Sequence, residues 1–195
     1  DVRRGRVPRE EAIVAGPGGI DVLPAGSGVR EAVEPDAAQR ARLREVFERL
    51  RSGYEIVVID GAAGIGENVI TLALWADAVL LVTTPEVPAV ADAYATLKVL
   101  CQAGRNAGIH LLVNMARDAA EADRVAARVS AVAARFLGMQ LPIAGWVPLD
   151  AHVTQAVRAR VPFSLAAPAC PAAAAVGAVW ARIGPAAPVA AGGGA

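Results

Sequence analysis

Hydrophobic and polar positions along this chain follow two alternating patterns: short runs that are almost entirely apolar, and longer stretches with apolar residues three and four positions apart. The short runs are typical of strands buried on both faces of a parallel sheet, and the longer stretches are typical of amphipathic helices. The pattern predicts strands over residues 19–25, 54–60, 78–83, 109–114 and 142–147, and helices over residues 36–52, 67–75, 88–103, 119–137, 150–160 and 171–183.

Strands that alternate with longer helices predict an α/β fold, with a mostly parallel sheet between two helical layers and right-handed crossovers. The predicted elements fill one domain over residues 1–183. Residues 184–195 consist almost entirely of Ala, Gly and Pro and carry no charge, so we expect a disordered tail.

Composition and charge narrow the function classes. The formal net charge is zero, which argues against a broad electrostatic surface for nucleic acid or anionic membrane. No apolar run approaches the roughly 18 residues of a membrane span, and the C-terminus supplies no amphipathic membrane-targeting helix. We therefore expect a cytoplasmic protein that reaches a membrane only through partners. Cys101 and Cys170 lie far apart without metal-ligand spacing, and we expect both to be reduced.

Asp60 is the first candidate for chemistry, because ligands of open parallel sheets bind beyond the carboxyl ends of the strands. It ends the apolar run YEIVVID, and a carboxylate in this position suits a Mg²⁺ site. Gly61, Gly64 and Gly66 follow, and glycines let backbone N–H groups approach an anion. The alternative is that Asp60 caps the next helix.

Three further strand ends carry polar residues. Thr83 and Thr84 either line a loop that faces phosphate or cap the helix that follows, and residue type favours capping. Asn114 offers a donor and an acceptor for the edge of a purine ring, or is an ordinary turn residue. Pro148 and Asp150 either form a loop along a base and ribose, or a turn followed by an N-cap.

The order of these segments resembles one family. YEIVVIDGAAGIGENV is similar to the Walker B and switch II segment of the MinD/ParA ATPases, which belong to the P-loop NTPases. VTTPEVPAVADAYATLKVL resembles the next strand and helix, particularly in the flagellar-number regulators called FlhG. LLVNMA, IAGWVPLDAHVTQAVRARVPF and, near the beginning, GPGGIDVLPAGSG continue the resemblance.

The resemblance implies a role for each matching residue. Asp60 would position Mg²⁺ through water, and Gly64 in switch II would sense the γ-phosphate, which makes these two the catalytic candidates. Asn114 would contact adenine, while Pro148 and Asp150 would lie in the second base-binding loop. ATP and Mg²⁺ are the implied cofactors, and an ATP-sandwiched homodimer is the implied assembly.

The family's phosphate-binding loop, KGGxGKT, does not occur in this sequence. The segment GPGGI precedes a predicted strand rather than a helix, and Lys98, the sole lysine, lies within a predicted helix. Because backbone N–H groups and a lysine neutralise the phosphates in this family, we expect weak ATP binding or none, and no hydrolysis, from this chain alone. A start at Asp1 within a polar segment indicates a fragment of a longer protein; the alternative is a degenerate paralogue.

The resulting functional prediction is an FlhG-like, ATP-dependent regulator of the placement or number of a cellular assembly, such as the flagellum or the division site, acting with protein partners. One alternative is a nucleotide-free adaptor built on the same fold. Another is an amidotransferase-type synthetase of the same superfamily, which would need an additional glutaminase-like domain with a reactive cysteine; neither Cys101 nor Cys170 sits on a suitable turn.

Overall fold

The computed structural model describes residues 13–24, 37–61 and 64–184. The chain divides into two units, residues 1–72 and residues 73–195. The helices are α1 (Ala37–Gly53), α2 (Glu67–Trp75), α3 (Val87–Gln102), α4 (Ala119–Leu137), α5 (Ala151–Ala159), α6 (Phe163–Ala166) and α7 (Pro171–Ile183). The strands are β1 (Val14–Ala15), β2 (Asp21–Val22), β3 (Val79–Thr83), β4 (Ile109–Ala116) and β5 (Ile143–Pro148).

The second unit contains a three-stranded parallel sheet in the order β3-β4-β5. Val79 pairs with Ile109 at one end of β3 and Thr83 with Val113 at the other. Helix α3 connects β3 to β4 and helix α4 connects β4 to β5, as parallel neighbours require a crossover. The predicted α/β class with a parallel sheet flanked by helices is confirmed.

The middle strand β4 is covered on both faces. Leu111, Leu112 and Val113 are consecutive and all buried, and successive side chains of a strand point to opposite faces. Helix α4 contacts β4, and α7 packs against β5. One hydrophobic cluster joins β4 and β5 to helix α7 and its N-cap, and it consists of Leu112, Ala144, Val147, Cys170, Ala172 and Val179.

Helix α4 follows its sequence pattern from end to end. Its buried stripe recurs at helical spacing and consists of Ala122, Val125, Ala126, Val129 and Ala133. The helix begins after Asp118, whose carboxylate accepts a hydrogen bond from the backbone N–H of Glu121 at 2.7 Å. It ends at Gly138, whose φ of 65° terminates the helix in the left-handed conformation.

The first unit contains an antiparallel hairpin of β1 and β2 and the helix α1. The hairpin turn is a 3₁₀ segment, Pro17–Gly19, closed by the N–H of Gly16 and the carbonyl of Ile20 at 2.7 Å. The strand predicted over residues 19–25 is therefore shorter among the described residues, because the glycines form the turn. Arg40 of α1 and Glu67 of α2 form an ion pair at 2.6 Å.

The strand predicted over residues 54–60 is wrong. This segment has no strand assignment, and no strand among the described residues pairs with it. Val58 is 79% exposed, although its sequence context is that of a buried strand. A strand needs a neighbour for its backbone hydrogen bonds, and none of the described strands supplies one for this segment.

Smaller differences lie at element borders. Strand β4 continues two residues beyond its predicted end at Asn114, and the short helix α6 was not predicted. Asp36, the first residue of the first predicted helix, and the tail after residue 184 lie outside the described residues. Within the described part of the chain, none of the helices has the length and apolar character needed to cross a membrane.

Candidate functional site

The carboxyl ends of the three parallel strands form one edge of the sheet in the second unit, which we call the carboxyl rim: Thr83, residues 113–116 and residues 147–150. Pro148 pairs with Ala116 in the sheet register. The N–H of Leu149 donates to the carbonyl of Ala116 at 2.9 Å. The rim therefore brings together three predicted site residues, namely Asn114, Pro148 and Asp150.

Asn114 lies in a β-bulge. Between the pairs Val113–Trp146 and Ala116–Pro148, strand β4 contains one residue more than β5. Met115 adopts a φ of 59°, in the left-handed region that is uncommon for a residue other than glycine. Its N–H donates to the side-chain oxygen Oδ1 of Asn114 at 2.9 Å. This bulge is not predicted from the sequence, because methionine does not signal a left-handed position.

Asp150 holds the loop after β5. Its Oδ1 accepts from the N–H of His152 at 2.9 Å and lies 2.8 Å from Nδ1 of the same residue. Its Oδ2 accepts from the N–H of Ala172 at 3.0 Å. These hydrogen bonds lower the pKa of Asp150 from 3.8 to about 2, and the bond from Ala172 makes the largest contribution. The side chain is only 5% exposed, so the carboxylate points into the protein.

The end of β3 differs from the expectation for its threonines. Thr83 is buried and its hydroxyl donates to the carbonyl of Thr84 at 3.3 Å. Helix α3 begins after Glu86 without a side-chain capping hydrogen bond, so the predicted capping by a threonine hydroxyl is wrong. A hydrogen bond from the Thr84 side chain instead lowers the pKa of Glu86.

Asp60 and Gly64 belong to the first unit. Asp60 is exposed at the end of the apolar segment of residues 54–60, which has no strand assignment. Because α2 begins at Glu67, Gly66 precedes the helix and Asp60 is not its N-cap. Gly64 has a φ of 105° and open space where a Cβ would stand. Gly64 therefore combines a glycine-only conformation with free access to its backbone.

The donor set around Asp60 allows one kind of metal binding. No group of three or more His, Cys, Asp or Glu side chains suited to a metal ion occurs in the described ranges. Mg²⁺ is often held by one or two carboxylates together with water and substrate phosphates. A single exposed carboxylate fits that mode and does not fit an all-protein cage.

Neither cysteine is placed as a nucleophile. The Sγ of Cys101 lies 3.3 Å from the Sδ of Met139, and burial raises the pKa of this thiol. Cys170 is buried before α7. Both are free thiols, as expected, and a raised pKa disfavours the reactive thiolate that an amidotransferase would need.

Comparison with known proteins gives two sequence relatives, while no family model matches the chain. The antiactivator FleN of Pseudomonas aeruginosa is 34% identical over 158 residues, which is 81% of this chain and 56% of FleN. An uncharacterised ATP-binding protein of Methanocaldococcus jannaschii is 28% identical over 185 residues, which is 94% of this chain and 65% of the relative. The chain thus spans less than two thirds of either relative.

Solved structures with the same fold include cell-division proteins. The MinC:MinD complex of Aquifex aeolicus matches with a TM-score of 0.73 and 22% identity over 97% of this chain and 74% of that one. MinD of Pyrococcus horikoshii, solved with Mg-ADP, matches with a TM-score of 0.73 and 21% identity over 94% of this chain and 72% of that one. At these identities the likeness shows the fold.

Proposed function

This chain belongs to the MinD/ParA family of P-loop ATPases, close to FleN, and we propose its function from that premise. It is part of the nucleotide-dependent machinery that regulates the placement or number of a cellular assembly, such as the flagellum or the division site. The observation that carries the proposal is the carboxyl rim, where Asn114 and the loop of residues 148–150 are held together by the hydrogen bond between Leu149 and Ala116. This is the edge at which open parallel sheets bind ligands.

The rim has the chemistry of a base-binding edge. The side-chain amide of Asn114 is partly buried and offers a donor and an acceptor for a purine. Two exposed apolar side chains lie at the same edge, Met115 at 47% and Leu149 at 60% exposure. Apolar surface with a few placed polar groups is typical of small-molecule sites. We propose that Asn114 and Pro148 contact adenine, and that Asp150 acts by holding the loop, since its carboxylate is occupied.

Asp60 and Gly64 are proposed for the phosphate chemistry. Asp60 would hold Mg²⁺ through water, and the bound metal would neutralise charge on the phosphates. The open backbone of Gly64 would let an N–H group approach an anionic oxygen. Since Lys98 is exposed on helix α3 and no lysine-containing phosphate loop occurs in the sequence, we propose that this chain binds nucleotide weakly and does not hydrolyse it.

We also propose that this chain acts with protein partners, and the names of its relatives support this. FleN is named an antiactivator, and the Aquifex aeolicus MinD structure is a complex with MinC. Both names support a protein partner for this chain. ATP-dependent self-association is the second expectation, and light scattering coupled to size exclusion, with and without Mg·ATP, measures it directly.

A titration of the isotopically labelled chain with millimolar Mg·ATP, followed by NMR, tests base binding. We expect saturable shifts at Asn114 and at residues 147–150. Asn114→Ala should abolish them, whereas Asn106→Ala should not, because Asn106 lies in the loop before the opposite end of β4. If the wild-type rim shows no ATP-dependent shift, the nucleotide reading is wrong and the nucleotide-free adaptor takes its place.

The metal proposal has a separate test. Mn²⁺ substitutes for Mg²⁺ and broadens nearby NMR signals, so low Mn²⁺ concentrations should broaden the resonances of residues 59–61. Asp60→Asn should remove this broadening. Asp92→Asn is the matched control, since Asp92 is an exposed carboxylate on α3. Equal broadening in Asp60→Asn and the wild type would contradict the assignment.

A further inference from the structure

We propose that Met115 is a specificity-determining residue of the carboxyl rim. Its left-handed backbone directs its N–H at the side chain of Asn114 and fixes the orientation of that amide, and the fixed amide selects adenine over bases that carry a 6-oxo group. The inference rests on the proposed function, since it concerns how the same rim recognises a base. Its starting point is the bulge, where Met115 has a φ of 59° and donates to the Oδ1 of Asn114 at 2.9 Å.

The conformation of Met115 is unusual within the described residues. Only Arg160 shares a positive φ among their non-glycine residues, and Arg160 is the C-cap of helix α5, where the left-handed conformation terminates the helix. Met115 ends no helix. It lies in the bulge of β4, one residue before Ala116, which accepts the hydrogen bond from Leu149. Bulges of this kind re-aim side chains next to binding sites.

The hydrogen bond decides which way the Asn114 amide faces. In the observed orientation Oδ1 meets the N–H of Met115, and the amide NH₂ is left for another partner. Turning the amide over would place its NH₂ against that N–H, two donors facing each other, and would lose the bond. Oδ1 keeps a second lone pair, so the fixed amide still presents one acceptor beside one donor.

A fixed amide of this kind distinguishes purines. On its Watson–Crick edge adenine places the 6-amino donor beside the acceptor N1, and an asparagine amide matches this pair with two hydrogen bonds. Hypoxanthine and guanine present the reverse pattern on that edge, a 6-oxo acceptor beside an N1–H donor, so the oxygen of the fixed Asn114 amide would face an acceptor and its NH₂ a donor. Binding them requires the turned-over amide, which the N–H of Met115 opposes. The rim should therefore prefer ATP to ITP by about tenfold.

Variants of Met115 separate the backbone effect from the side chain. Met115→Val and Met115→Thr introduce β-branched side chains, which disfavour a positive φ more than methionine does, so they should release the amide, weaken ATP binding and strengthen ITP binding until the ratio approaches one. Met115→Asn shortens the side chain but tolerates the left-handed conformation, and it should keep the preference. Arg160→Val, which removes a left-handed residue far along the chain, should leave the ratio unchanged.

The measurement is an NMR titration of the full 195-residue chain with Mg·ATP and with Mg·ITP. A gain in ITP affinity is the informative readout, because general damage to the rim would weaken both ligands. In the free protein, the amide of residue 115 should be protected from hydrogen exchange in the wild type and in Met115→Asn, and unprotected in Met115→Val.

The outcomes separate two failures. A wild-type rim that shows no ATP shift at Asn114 overturns the proposed function and this inference with it. A wild-type rim that prefers ATP, together with an unchanged ATP:ITP ratio in both Met115→Val and Met115→Thr, overturns only the inference. Met115→Thr, which is equally β-branched but polar, covers the case in which valine prevents folding.

Discussion

The Oδ2 of Asp150 accepts a hydrogen bond from the backbone N–H of Ala172 at 3.0 Å, across a separation of 22 residues. The other oxygen of the same carboxylate caps the start of α5 at His152. One side chain thus satisfies N–H groups at the beginning of two helices, α5 and α7, and these groups have no partner within their own helices. The loop that carries Pro148 is thereby attached to the last helix.

Removing this carboxylate should destabilise the second unit. We expect Asp150→Ala to lower the melting temperature by about 5 °C, because two helix starts lose their capping acceptor. Asp123→Ala, at an exposed position of helix α4, should change it by no more than about 1 °C. Thermal unfolding followed by circular dichroism measures both, and equal melting temperatures for the two variants would contradict the capping role.

The same carboxylate makes stability depend on pH. Its pKa is about 2 in the folded protein, against 3.8 ordinarily, so the unfolded chain binds the proton more readily. The stabilisation is fully present above about pH 4 and is lost as the pH falls towards 2. Urea midpoints of the wild type and Asp150→Asn should therefore differ at pH 7 and converge as the pH is lowered from 4 towards 2. A difference that stays constant would assign the effect to packing.

Two glycines offer a matched pair of substitutions. Gly138 has a φ of 65°, and Gly177 lies inside α7 without a positive φ; neither has an atom within 4 Å of an added Cβ. Gly138→Ala should destabilise by about 1 kcal/mol through backbone conformation alone. Gly177→Ala should stabilise by about 0.5–1 kcal/mol, because alanine is the better helix former. Urea unfolding gives both values, and opposite signs are the expected result.

Replacing leucine by alanine should have different effects on stability in the core and at the surface. Leu111 is fully buried in the central strand β4, and Leu111→Ala should lower the free energy of unfolding by about 3 kcal/mol. Leu165 is 51% exposed on α6, and its replacement should cost below about 1 kcal/mol. Comparable losses at the two positions would mean that residues around α6 pack more closely than the structure shows.

Strong local signals carried most of the sequence prediction. Helix α4 was predicted with its observed limits because its apolar stripe and Gly138 lie in the same stretch of chain. The end of β5 and the cap at Asp150 were also visible in the sequence. Residues 54–60 have an equally strong strand pattern, yet they form no ladder among the described residues. Their conformation depends on a neighbouring strand, which local pattern does not report.

The sequence by itself determined the alternation of strands and helices and the placement of Asn114, Pro148 and Asp150 at the carboxyl ends of strands, because hydrophobic period and residue type act locally. Only the tertiary structure decided three other features: the bulge that turns the N–H of Met115 towards Asn114, the inward position of the Asp150 carboxylate, and the absence of strand pairing for residues 54–60 within the described part of the chain. Each depends on hydrogen bonds and strand pairing within the folded chain, and the local pattern of residues does not predict such contacts.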